Sequence, residues 1–154
     1  MENSTMIKKD SSKVTGMLNI VVRDDAGKVK QEFTVPNLVV DAGLAHIAGR
    51  LSGDGVLPTA MSHMSVGTGS TAAAAGDTTL GTELARVALT SSTATANSVA
   101  YVATFPAGTG TGALTEAGVF NDVSAGTLLC RTVYAVINKG AADSMTVTWT
   151  VTIS

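Results

Sequence analysis

The chain has 154 residues, a net charge of −2 and a mean hydropathy of +0.31, which suits one domain with a real core and is short for two ordinary ones. No basic stripe is interleaved with aromatics, and one Trp, two Tyr and three Phe are few for base stacking, so a nucleic-acid surface is not expected. Charged residues make up only 14%, against roughly 25% in ordinary globular domains, and this composition fits a surface covered by neighbours in an assembly.

Residues Met1–Thr15 are polar and rich in Ser and Lys, with Met6, Ile7 and Val14 as isolated apolar points. They read as an extended N-terminal arm ahead of a single domain, 16–154, and such an arm can order on a neighbouring chain. The N-terminus lacks the apolar segment of a signal peptide, and no run approaches the roughly 18 apolar residues of a membrane helix. Synthesis and folding in a cytoplasm are therefore expected, with no membrane partner.

The first hairpin follows. Leu18, Ile20 and Val22 alternate with polar positions, the turn Asp24–Lys28 carries Gly27, and Val29, Phe33 and Val35 share a face of the return strand. Pro36-Asn37 is expected to end that strand. Asp41 is placed to cap a short helix over 42–51, with Leu44, Ile47, Ala48 and Leu51 as its apolar stripe and Gly53 and Gly55 as its stop.

Beyond the helix, strands are expected at 61–67, 86–96, 98–105, 113–121 and 127–137, with Ala96-Asn97 turning a hairpin. The last segment, Met145–Ser154, is MTVTWTVTIS: Met145, Val147, Trp149, Val151 and Ile153 alternate without error against four threonines. That is the period of a strand with one face in the core. About eight strands and one helix predict an all-β fold: an antiparallel β-sandwich, Ig-like or jelly-roll-like, with one short α-helix near residues 42–51. Its core should include Trp149, Val147, Val151, Phe120 and Phe33.

Few residues offer chemistry. Gly67-Thr68-Gly69 begins like a dinucleotide fingerprint, but the third glycine and the βαβ context are missing, and no Lys stands where a phosphate loop needs one. The segment Gly67–Gly76 reads instead as a small-residue loop able to pack closely on another protein surface. His46 and His63 match no metal-ligand spacing, so hydrogen-bonded structural roles are expected and no metal or cofactor. Cys130 is single, which rules out an intramolecular disulfide, and its strand setting suggests a buried thiol. No nucleophile elbow occurs.

Glu83, Arg86, Glu116 and Arg131 stand isolated among apolar neighbours, and Glu116 alternates onto the face of Leu114 and Gly118. An acid–base pair and a partly buried Glu–Arg bridge, between strands or between subunits, both fit this pattern. With no accompanying polar cluster, the bridge is the expected role, and no catalytic residue is assigned. A glycosidase-like alternative needs Glu83 and Glu116 facing across an open cleft at about 5–9.5 Å.

The segments VPNLVVDAGLAHIAGRL, MSHMSVGTGSTAAAAGDTTLGTELARVALTS, VAYVATFPAGTGTGALTEAGVFN and GTLLCRTVYAVINKGAADSMTVTWTVTIS resemble, in order and spacing, a family of small structural proteins of tailed bacteriophages. The resemblance covers roughly Val35–Ile153 and carries no catalytic residue. It implies a virion component, assembled in the host bacterial cytoplasm and acting through contacts with itself and other virion proteins. A trimeric tail or neck fibre or appendage subunit is the first expectation, a capsid decoration (cement) protein the second. A receptor- or carbohydrate-binding tip is a third, requiring exposed aromatics, whereas Trp149, Tyr101 and Tyr134 all fall in expected strands.

Overall fold

The computed structural model describes residues 11–154, so most of the expected arm lies outside the described residues. Where the arm was expected to run to Thr15, Val14 and Thr15 already belong to a strand. The elements are β1 (Val14–Arg23), β2 (Val29–Val39), α1 (Asp41–Ser52), β3 (His63–Gly67), β4 (Glu83–Ala88), β5 (Ser91–Thr95), β6 (Ser98–Phe105), β7 (Gly112–Phe120), β8 (Leu128–Lys139) and β9 (Ser144–Ile153). All pairings are antiparallel, in one nine-stranded sheet of order β4-β3-β7-β8-β2-β1-β9-β6-β5.

Two places bend this sheet. Strand β2 pairs with β1 along Val29–Asn37, then passes to β8 through Leu38↔Arg131 and Val39↔Cys130. Pro36 therefore does not end the strand: it faces Met17 in the register, and the two residues after Asn37 carry β2 into the other half of the sheet. The second bend divides the segment expected as one strand over 86–96. Leu89 N donates to Ser62 O on one half, and Thr90 N donates to Val102 O on the other. Strands β4 and β5 are thus neighbours in sequence yet occupy opposite ends of the strand order, so the sheet curls until its ends approach.

One core fills the curl. Leu18, Ile20, Val22, Tyr101, Ala103, Phe105, Met145, Val147, Trp149 and Val151 from one half meet Met64, Val66, Leu114, Ala117, Val119, Tyr134 and Ile137 from the other. The strict alternation of β9 places Met145, Val147, Trp149 and Val151 inside, as the sequence requires. Of the expected core, Phe33 is only half-buried, with its ring 5.8 Å from that of Tyr134. Phe120 belongs to a separate small cluster with Val40, Leu80 and Leu128.

The helix lies where expected, but its contacts differ. Val40, not Asp41, occupies the N-cap, and no side chain caps the helix; Gly53 ends it at φ 61°. Leu44 and Leu51 are exposed while Gly43 and His46 are buried. The reason is steric: a Cβ at Gly43 would run into the backbone of Leu129, so the missing side chain lets the helix lie directly on β8. His46 departs from its expected hydrogen-bonded role, because its Nδ1 is buried without a partner among the described residues. His63 keeps that role through a 2.8 Å contact between its Nδ1 and Ser62 Oγ.

Trp149 is fully buried at the centre of β9, between Leu18 on β1 and Tyr101 on β6. Trp149→Ala should cost about 3–5 kcal/mol in denaturant unfolding, as a large core truncation does. A loss under about 1 kcal/mol would show that the surrounding core closes over the gap.

Candidate functional site: a buried carboxylate and the loop it holds

The four charged residues singled out in the sequence share one face of the β4-β3-β7-β8 half. Arg86 faces Ser65, Ser65 faces Gly118, and Gly118 faces Arg131; one step along, Glu83 faces Gly67 and Gly67 faces Glu116. This is not the face of Leu114. The pairing is irregular between Leu114 and Glu116, where two steps along β7 lie opposite four along β8, from Ile137 to Val133; across it the alternation resets, so Leu114, Ala117 and Val119 enter the core while Glu116 turns to the other side. Simple alternation over Leu114, Glu116 and Gly118 fails at that irregularity.

Segment 68–82 covers this face, and Glu116 is fully buried beneath it. Its Oε1 accepts hydrogen bonds from Gly69 N at 2.9 Å and Thr82 N at 2.6 Å. Its Oε2 accepts from Gly81 N at 2.8 Å and from Arg131 Nη2 and Nε at 2.8 and 3.2 Å. Arg131, 2% exposed, then reaches outward: Nη1 donates to Asp77 Oδ2 at 2.7 Å and Nη2 to Thr71 O at 2.9 Å. Asp77 Oδ2 also accepts from Ala74 N, and Thr115 Oγ1 donates to Gly69 O. The loop is thereby fastened to the sheet at both ends and in the middle.

The glycines now have a physical role. A Cβ at Gly69 would sit 2.5 Å from Glu116 Oε1, and one at Gly67 would strike the Thr82 carbonyl. The Gly67-Thr68-Gly69 segment wraps an anion, as glycine loops do around phosphate, but the anion is the protein's own carboxylate. Of the small residues of Gly67–Gly76, expected to pack closely on another protein, Gly67 and Gly69 allow close approach to the chain's own sheet, while Ser70, Thr71, Ala72, Ala74, Ala75 and Gly76 are exposed.

Glu83 and Arg86 form the second pair, within β4 rather than between strands. Arg86 Nε and Nη2 bond Glu83, Nη1 bonds the carbonyls of Asp122 and Ala125, and the guanidinium lies 3.8 Å over the Phe120 ring. Ser65 Oγ donates to Glu83 Oε1. A third polar centre had no signal in the sequence: Lys139, 2% exposed, donates to the carbonyls of Pro106 and Asp143, and Lys30 bonds Asp143 Oδ2 at 2.7 Å.

Electrostatics follow the contacts. Burial pushes the Glu116 carboxyl upward, but the Thr82 and Gly81 N–H groups, the Arg131 guanidinium and Gly69 N–H outweigh it and hold the group below its ordinary range. Asp77 is held down chiefly by Ala74 N–H and then by Arg131, and Asp143 by Lys30 and Gly140 N–H. Burial lowers Lys139 against the pull of Asp143, and burial, then Arg50, lowers His46. Cys130 is a buried free thiol pushed upward by burial.

Chemically, the arrangement is a clamp. Every oxygen of Glu116 is committed and none meets solvent, so Glu116 cannot face Glu83 across an open cleft. Among the described residues, no three His, Cys, Asp or Glu are grouped to hold a metal, and no helix is long and apolar enough to cross a membrane. Comparison of the chain with protein-family models, curated proteins and solved structures finds no match.

Glu116→Ala leaves three buried N–H groups unpaired and Arg131 with Asp77 as its remaining carboxylate, so it should cost about 3–5 kcal/mol in chemical denaturation and expose 68–82 to protease. An intact, protease-resistant loop in that variant would show that Asp77 and Arg131 hold it alone. Glu116, Asp77 and Asp143 all have folded pKa values below their unfolded ones, so their stabilisation is complete above the ordinary carboxylate range and is lost as pH falls through the folded values. Unfolding free energy should be nearly flat near neutrality and drop below about pH 4, with a shallower drop in Glu116→Gln.

Proposed function

We propose that the protein is a non-enzymatic structural component of a tailed-bacteriophage virion, a tail or neck fibre or appendage subunit that works through protein–protein contacts with copies of itself and other virion proteins. One observation carries the reading: three adjacent strands, β9, β6 and β5, contain no charged residue. Their outward positions are Thr146, Thr148, Thr150 and Thr152 on β9, Ser98, Ala100, Val102 and Thr104 on β6, and Ser91, Thr93 and Thr95 on β5. A broad uncharged surface of threonine, serine and alanine is poorly suited to standing free in water and well suited to being covered.

The resemblance of residues 35–153 to phage structural proteins supports the same reading, as does the use of the chain's most buried charges to fasten a loop rather than to line a cleft. In this reading the two halves of the curled sheet act as the layers of a β-sandwich, Ig-like or jelly-roll-like, joined through β2. A sugar-binding tip is less well supported, because Trp149 is fully buried and Tyr101 and Tyr134 are each 8% exposed.

The test is mass spectrometry of purified virions from the source strain. The chain is expected in the particle at a fixed copy number, a dozen or so for a tail or neck part. Hundreds of copies would move it to shell decoration, and absence from particles while abundant in the lysate would overturn the virion reading.

A further inference from the structure

The two ends of the sheet are finished differently. Edge strand β4 carries Glu83 and Arg86 and a register irregularity beside Gly67, devices that discourage another strand from adding to an edge. Edge strand β5, Ser91–Thr95, has no charge, no proline and no bulge, and all five residues are exposed.

Its hydrogen-bonding pattern is set by the hairpin. The two-residue turn Ala96-Asn97, with Ala96 at φ 51°, makes Thr95 and Ser98 the closing pair. Thr95, Thr93 and Ser91 therefore direct their backbone groups to β6, while the N–H and C=O groups of Ser92 and Ala94 point away from the sheet, where no strand meets them among the described residues.

We propose that β5 is a homotypic docking edge, where a second copy of this chain adds its own β5 antiparallel about a two-fold axis at Thr93. The proposal rests on the assembly reading above and names its contact. The edge is self-complementary: pairing Ser92 with Ala94 of the second copy, and Ala94 with Ser92, satisfies all the outward groups and leaves Thr93 opposite Thr93 as a close, non-hydrogen-bonded pair. With no charge on either edge, two copies meet without like-charge repulsion, whereas a charged partner would find no counter-ion there.

Five residues alone are a small contact beside the roughly 1,200–2,000 Å² of stable interfaces. The adjoining rim supplies apolar surface. A cavity of about 340 Å³ opens between α1 and the β5-β6-β9 end, lined by apolar Val99, Leu51 and Ile153 beside Ser92 and Ala94, with Arg50, bonded to the Pro58 carbonyl, as its cation. Leu51 is 82% and Ile153 49% exposed, so the rim offers large side chains that a second copy covers. The symmetry is two-fold, so copies associate in pairs rather than by the three-fold axis expected of a fibre.

Thr93→Cys in the full-length chain tests the register. Under mild oxidation it is expected to convert most of the protein to a disulfide-linked dimer, whereas Ser92→Cys, offset by two positions from its own mate, is not. Cys130 is buried and gives no background link. Ala94→Pro removes one outward N–H without touching the β6 ladder, and should turn the native species into a monomer in light scattering with an unchanged circular dichroism spectrum. If that variant fails to fold, the Thr93→Cys result decides alone. A monomeric native chain, or an oligomer that gives no Thr93→Cys link and survives Ala94→Pro, overturns the edge proposal; presence in virions is measured separately and stands or falls by itself.

Discussion

Five hydrogen bonds converge on the fully buried Glu116 carboxylate, three from backbone N–H groups of the 68–82 loop and two from Arg131. A buried charge left short of partners costs several kcal/mol, so this group constrains everything it touches. It requires the irregular pairing of β7 with β8 that turns Glu116 away from the core, glycines at 67 and 69 so that backbone can come close, and Arg131 on β8 as counter-ion. Arg131 in turn requires Asp77. The loop's course is thus a consequence of one ionised side chain rather than of its own sequence propensities.

The same clamp covers part of the outer face of one half of the sheet. Inside lies the main core; outside lie the covered charges and the small Phe120 cluster, over which Arg86 stacks. The other half, β1-β9-β6-β5, is covered only on its inner face, and its outer face is uncharged across three strands. The asymmetry divides the labour: polar chemistry goes into holding the fold, and the plain surface is left for contact.

Much of this was legible in the sequence where a single local rule decides. The alternation of β9, the Gly27 turn, the helix stop at Gly53 and the Ala96-Asn97 hairpin need only period and turn chemistry. What misled was each point where tertiary contact overrides a local rule. The apolar run through Leu89 hides a bend because both sides of it are strand. The helix stripe of Leu44 and Leu51 faces outward because Gly43 permits a closer approach on β8. Glu116 does pair with an arginine, Arg131, but the irregular pairing with β8 moves it to the opposite face, and nothing in the spacing of Leu114 to Gly118 announces that irregularity. Lys139, tied to two carbonyls, became visible only once β8 and the turn after Phe105 were brought together.

Strand β1 pairs along its whole length with β9, from Val14↔Ile153 to Arg23↔Ser144. On a ribosome, β1 is complete at Arg23, long before its neighbour β9 begins at Ser144. Until then Leu18, Ile20 and Val22 can turn only against β2, and the edge that β9 will occupy stays open. Closing so long a loop is entropically costly and slow, and an open edge beside apolar side chains invites other nascent chains. Threonine, rather than valine or isoleucine, along the outer positions of β9 then has a kinetic meaning. It keeps strong strand preference for that closure while making the waiting sheet less adhesive to the wrong partner.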